Sequence, residues 1–101
     1  MSNNIIHIET PMFNGELKIV LGFYNNGRTA LQLVDVEDGS PYYIATVNIP
    51  EEELAEGCVF LKGWSENEGV PEALEKAGVV KLTGRIVAAG WVEAQEGQLL
   101  I

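Results

Sequence analysis

Residues 16–24 alternate without a break: Leu17, Ile19, Leu21 and Phe23 fall on one side, and Glu16, Lys18, Val20, Gly22 and Tyr24 on the other. A period of two is the signature of a strand with one buried face, and a helix of the same sequence would scatter those apolar groups around its axis. Asn25-Asn26-Gly27 follows directly. Asparagine and glycine tolerate positive φ, so this tripeptide predicts a tight hairpin that folds the strand back onto residues 28–36. The pair must then be antiparallel. Asp38-Gly39-Ser40-Pro41 repeats the turn chemistry ahead of residues 42–49, which are aromatic and β-branched enough for a fourth strand. Upstream, residues 5–9 read as a first strand ended by Thr10-Pro11, with Asn14-Gly15 as a turn. The first half is therefore expected to be a meander.

The second half changes character after Pro50. Glu51-Glu52-Glu53-Leu54 suits a short helical turn or a solvated loop closed by Gly57, and residues 58–62 form a short apolar strand. Ser65 and Glu68 have capping-box spacing and Pro71 suits a first helical turn, so the helix begins between residues 65 and 71. Leu74 and Ala77 face inward and Gly78 stops it. Residues 79–87 return to strand character, interrupted by Gly84. Gly90-Trp91-Val92-Glu93 and residues 98–101 suggest a last hairpin around Glu96-Gly97. The expected fold is α+β: one domain over residues 1–101, a mostly antiparallel twisted sheet of about five to seven strands with one short helix packed on a face. The apolar end Leu99-Leu100-Ile101 is expected to dock as part of it.

The composition supports a folded chain, because 47% hydrophobic residues and only four prolines leave enough apolar surface to offset ordering entropy. A single cysteine, no signal-like N-terminus and no apolar run near the ~20 residues of a spanning helix place the expectation in the cytoplasm, off the membrane. Charge is distributed unevenly. Glu51, Glu52, Glu53, Glu56, Glu66, Glu68, Glu72 and Glu75 are opposed between residues 51 and 75 by Lys62 alone, so about −7 of the formal −9 lies in one quarter of the chain. Such a field attracts a protein partner with a basic surface and repels nucleic-acid phosphate and anionic membrane.

Two readings of that run stand side by side. Charge runs ordinarily mark solvated faces that keep a protein dispersed. Alternatively, the spacing imitates a polyanion and occupies a Lys/Arg-lined groove on another protein, through Glu52, Glu56, Glu66 and Glu68 with Trp64 as the anchor. Trp64 can equally pack onto the sheet beneath the helix, and Trp91, at a strand start, reads as core. Tyr42 and Tyr43 should point to opposite sides of a strand, one buried and one available. His7 is the sole histidine and Cys58 sits in an apolar strand, so neither has the partners for nucleophilic or zinc chemistry. Arg85 has this protein's own glutamates as its simplest partners. The glycines sit singly at turns without a nucleotide-binding pattern, and the Asp-rich spacing of a calcium loop is missing. No cofactor, no metal and no catalytic residue is expected, and the chain is not read as an enzyme.

Val59-Phe60-Leu61-Lys62, Trp64-Ser65-Glu66-Asn67-Glu68-Gly69, Glu72-Ala73-Leu74, Ala77-Gly78-Val79-Val80, Thr83-Gly84-Arg85 and Gly90-Trp91-Val92-Glu93 resemble a domain-of-unknown-function family of small bacterial proteins carried on phages, plasmids and other mobile elements. The resemblance covers mainly residues 42–93. It implies a genomic neighbourhood and no activity. The combined expectation is an accessory protein of a mobile element that binds a host or defence protein stoichiometrically. The rival from another class is a structural or homo-oligomeric protein that self-associates through a sheet edge or its apolar C-terminus.

Overall fold

A computed structural model describes residues 4–101. Seven strands and one α-helix follow one another as β1 (Ile5–Thr10), β2 (Phe13–Phe23), β3 (Thr29–Asp35), β4 (Pro41–Ile44), β5 (Cys58–Leu61), α1 (Val70–Lys76), β6 (Val80–Ala89) and β7 (Val92–Leu99), with a 3-10 turn at Ser65–Asn67 before α1. Every strand pairing is antiparallel. The expected mixture of antiparallel sheet and one short helix is what forms, but the strands divide into two sheets, ordered β1-β2-β3-β4 and β5-β7-β6.

The division occurs at Ala45 and Thr46, where the sequence suggested that strand four would run on to residue 49. The Ala45 N–H still donates to the Leu31 carbonyl of β3, but the Ala45 carbonyl accepts from Lys62 N–H, beyond β5, and Val47 N–H donates to Phe60. Thr46 makes the change of partner feasible. Its buried hydroxyl accepts from Leu31 N–H at 3.1 Å and lies 2.8 Å from the Tyr24 hydroxyl, so a side chain satisfies the β3 donor while the backbone leaves for β5. An isolated bridge, Thr46 to Leu61, marks the crossing.

One large core is shared by both sheets and the helix. It holds Ile8, Leu17 and Ile19 from β1 and β2, Leu31 and Leu33 from β3, Val59 and Leu61 from β5, Val70 and Leu74 from α1, and Val80 from β6. A smaller cluster of Ile49, Phe60, Val87 and Ala94 lies on the other face of the β5-β7-β6 sheet, with Leu54 and Trp64 packed against it. Alternation within β5 accounts for both: Val59 and Leu61 point one way and Phe60 the other, and all three are buried. A short strand buried on both faces must read as a continuous apolar run, as Cys58-Val59-Phe60-Leu61 does.

Several turns differ from the sequence reading. Asn14-Gly15 lies inside β2, opposite Ile8 and Glu9, and the chain reverses at Pro11-Met12, since Thr10 pairs with Phe13. Burial fixes that register: Ile8 must reach the core, and the Phe13 ring lies over Gly15, where a β-carbon would come within 3.1 Å of it. The last hairpin turns at Gly90-Trp91, because Ala89 pairs with Val92, and Glu96-Gly97 is mid-strand. Gly97 is required there for space, since a β-carbon would meet the Leu61 side chain at 2.9 Å. Ser65 does not cap the helix. It takes φ 56, and the N-cap is Gly69 at φ 82 with no side-chain cap. The turns at residues 25–27 and 38–39 and the helix stop before Gly78 agree with the sequence reading. Ser40 donates through its N–H and hydroxyl to Asp38, which lowers that carboxyl's pKa and ties the turn. At the C-terminus Leu99 packs on the main core, whereas Leu100 and Ile101 are more than half exposed.

Replacing Thr46 with valine keeps the shape and removes the acceptor for a buried N–H. Thr46→Val is expected to lose roughly 1–3 kcal/mol of stability in denaturant unfolding, and Thr46→Ser much less. A valine variant as stable as the parent would show that the hydroxyl does not hold the crossing.

Candidate functional site

The two arginines of the chain converge on one segment. Arg28, just after the Asn25-Asn26-Gly27 turn, donates to the carbonyls of Ile49 at 2.7 Å and Glu52 at 2.5 Å. Arg85 donates to the Glu53 carbonyl at 2.6 Å, to Glu96 Oε2 at 3.0 Å and to Glu52 Oε1 at 3.3 Å. Both guanidinium carbons stand over the Phe60 ring, at 6.0 Å for Arg28 and 5.5 Å for Arg85, so the aromatic face is a shared platform. Residues 49–53 are thereby strapped down across the smaller core.

A bulge aims Arg85. Leu82 pairs with Gly97 and Ile86 with Gln95, so Thr83, Gly84 and Arg85 face Glu96 alone, and Gly84 takes φ 90 to make the bend. Thr83 and Arg85 then reach the two oxygens of Glu96, a carboxylate only 9% exposed. The expectation that Arg85 is partnered by the protein's own glutamates is met. A cavity of about 590 Å³ opens beside this network, lined by Arg28, Glu53, Leu54, Ala55, Arg85 and Glu96. Its arginines are already engaged by backbone and carboxylate, so the arrangement fixes a loop and presents little unsatisfied cationic surface.

The acidic run is split by this architecture. Residues 51–56 precede β5, the first three of them belong to the strap, and Glu52 is committed to Arg85. Residues 66–75 follow β5: Glu72 accepts from Gln95 at 3.1 Å, and Glu75 accepts from Leu82 N–H at 3.0 Å. Glu56, Glu66 and Glu68 are exposed, and their carboxylates make no hydrogen bond or ion pair with a described residue. Trp64 is half-buried against the smaller core, on the face of the sheet opposite α1. Of the five predicted site residues, Glu52 is engaged by Arg85 and Trp64 packs on the smaller core, while Glu56 precedes β5 and Glu66 and Glu68 flank Asn67 on the turn beyond it.

Asn67, between those two glutamates, is buried and donates through its side-chain amide to the Ile44 carbonyl at 2.9 Å. That bond pins the turn to β4, beside Tyr42 and Ile44, which are about half exposed. Tyr43 is buried as one of the tyrosine pair was expected to be, but the two rings do not diverge. A register shift in the β3–β4 ladder leaves them 5.3 Å apart, with Phe13 4.6 Å from Tyr42. Trp91 corrects the sequence reading outright: it is fully exposed, because the hairpin turns at that residue. The sequence offered no sign of the Asn67 anchor or the aromatic stack, since both join residues more than twenty positions apart.

Cys58 is half-buried, and burial together with the nearby Glu96 charge pushes its thiol pKa up. Among the described residues no group of three or more His, Cys, Asp or Glu side chains is placed to hold a metal ion, and no helix is long and apolar enough to cross a membrane. No family model, no curated protein and no solved structure matches this chain.

Two outcomes follow. Arg85→Ala leaves Glu96 with Thr83 as its remaining side-chain partner and leaves the strap to Arg28 alone, so stability should fall by roughly 1–3 kcal/mol, the low end reflecting solvent screening of the exposed part. Adding Glu96→Gln in that background should recover part of the loss, and no recovery would mean the strap contacts dominate. For Cys58, the raised pKa means less thiolate at pH 8 than in an unfolded chain. Disulfide-exchange labelling should run several-fold slower in the folded protein than in urea, with the rate still climbing as pH rises above 9.

Proposed function

We propose that the chain acts by stoichiometric binding to a protein with a basic surface, and that the working part of its acidic run is the half held by the 3-10 turn. The observation that carries this reading is that Glu66 and Glu68, both exposed, stand on either side of Asn67, whose buried amide fixes their turn to β4. Exposed carboxylates held on a rigid turn lose little freedom on meeting a cation, which favours recognition over simple solubility. The setting of a phage or plasmid accessory protein that blocks a host or defence nucleic-acid-binding protein rests on the resemblance of residues 42–93 alone.

A second reading, self-association, is favoured by a different surface. Leu21, Phe23, Leu100 and Ile101 are exposed by 49%, 79%, 54% and 59%. Leu21 and Ile101 also line an apolar cleft of about 470 Å³ with Ile6, Ile19, Ala77 and Val79. These residues lie where the inward face of β2 runs past the end of the core, and a second copy would bury them.

The two readings separate in one experiment. With the immobilised chain and a host lysate, Glu66→Lys with Glu68→Lys should abolish capture of basic proteins, and capture by the parent should fall steeply as salt rises. Light scattering of the unliganded protein should report a monomer. Capture that survives both reversal and salt would refute the acidic mechanism, and a concentration-dependent dimer lost on Phe23→Ser would favour self-association.

A further inference from the structure

Among the described residues, β1 keeps a long strand edge without the protections that the other edges carry. β4 is four residues long and begins at Pro41, β5 is met by Val47, whose N–H donates to Phe60, and β6 is broken by the bulge at residues 83–85. β1 runs for six residues with neither a proline nor a bulge. One bond fixes which of its backbone groups face outward. Ile19 N–H donates to the Asn4 carbonyl, so by the alternation of an antiparallel ladder Ile6, Ile8 and Thr10 also turn their N–H and carbonyl groups toward β2. His7 and Glu9 turn theirs the other way, where no described residue meets them. A groove of about 360 Å³ lies there, lined by β1 from Ile5 to Glu9 and by Ala73, Lys76 and Ala77 of α1.

We infer that an extended segment of a partner protein enters this groove antiparallel to β1 and adds a strand to the β1-β2-β3-β4 sheet, with apolar residues at alternate positions, a cation at its start and a carboxylate at its end. The inference goes beyond the acidic-turn reading and does not depend on it. Outward donors and acceptors in register on His7 and Glu9 select an extended backbone as the occupant. The helix selects its side chains. Residues that pair with His7 and Glu9 share their solvent face, and the residues between them point toward α1, where Ala73 and Ala77 are short enough to leave room beside Ile6. Charge fixes the direction. α1 runs opposite to β1, since Gly69 lies against Thr10 and Pro11 while Ala77 shares a cleft with Asn4 and Ile6. Lys76 therefore stands toward the Ile5 end, where Lys18 is the cross-strand partner of Ile5, and Glu9 stands at the other end, with Glu16 opposite His7. Lys76 forms no ion pair with a described carboxylate. An antiparallel strand meets Glu9 first and Lys76 last, which sets its cation ahead of its carboxylate. A second copy fits less well: its β1 would set Ile5 where a cation is wanted, and its own α1 flanks the edge that would have to pair.

The probe is a short fluorescent peptide with blocked termini, lysine first and aspartate last, alternating valine with threonine between them, and binding is read by anisotropy. The threonines share the face of His7 and Glu9, so their amides are the ones that pair with β1. N-methylating the threonines should weaken binding about tenfold or more, and N-methylating the valines less than about threefold. Equal losses, or none, would overturn the strand pairing. Exchanging the peptide's lysine and aspartate should weaken it, and Glu9→Lys with Lys76→Glu in the protein should restore the exchanged peptide; no restoration would overturn the antiparallel placement. Glu66→Lys with Glu68→Lys should change binding by less than about threefold, and a larger loss would mean that the peptide reads charge at the acidic turn and not the groove. On the unmodified protein the peptide should slow hydrogen exchange at the His7 and Glu9 amides. Protection confined to other strands would overturn the proposal, as would a dimer in which those two amides are already protected without peptide.

Discussion

The structure depends on the crossing at Ala45 and Thr46. Two sheets that shared no hydrogen bonds would have to be held together by packing alone, across a core built from both. Here Ala45 is bonded through its N–H to Leu31 and through its carbonyl to Lys62, so a single residue belongs to both ladders. The cost of such a switch is a stranded donor on the strand that is left behind, and the Thr46 hydroxyl removes it by accepting from Leu31 N–H. Once the chain has crossed, β5 is placed with Val59 and Leu61 in the main core and Phe60 on the opposite face. The need to cover Phe60 then generates the rest of the second half: the strap of residues 49–53, Trp64, and the two arginines that hold the strap over the ring.

That dependence explains why an acidic chain places both its arginines on one loop. A loop of consecutive glutamates would repel itself away from the sheet, and backbone carbonyls turned toward a buried ring would lack partners. Arg28 and Arg85 supply donors to the carbonyls of Ile49, Glu52 and Glu53, and Arg85 also neutralises Glu52 and Glu96. Phe60 contributes a polarisable face beneath both guanidinium groups. Arginine is the residue for this work because its fork satisfies two acceptors at once, which a lysine ammonium does not do in fixed geometry.

What could be read from the sequence was local. Strict alternation in residues 16–24, the asparagine-glycine turn after them and the glycine that stops α1 each state their conformation within a few positions. Elements whose form is set by distant partners could not be read. Asn14-Gly15 has turn composition, yet it is drawn into β2 because Ile8 and the Phe13 ring need that register. Glu96-Gly97 also resembles a turn, but Gly97 is small because Leu61 and Val80 leave no room for a side chain. Trp91 looked like core because of its size, and turn geometry put it in water. The acidic run shows the same limit: its charge was legible, and its division by β5 was not, since only the tertiary structure says which glutamates meet an arginine.

The division changes what the charge can do. Eight glutamates spread over residues 51–75 suggest a continuous anionic ribbon, and a ribbon would recognise any cationic surface by field alone, with little geometric discrimination. Folding removes Glu52, Glu72 and Glu75 into contacts with Arg85, Gln95 and Leu82, and leaves Glu51, Glu53 and Glu56 ahead of β5 in the chain and Glu66 and Glu68 after it. One group caps the strap over a cavity whose cations are already engaged. The other stands on either side of Asn67, a buried asparagine whose amide is bonded to the Ile44 carbonyl of β4. A carboxylate whose backbone is fixed by a buried side chain presents its charge at a defined place, so the fold, and not the length of the acidic run, sets where a cation can meet it.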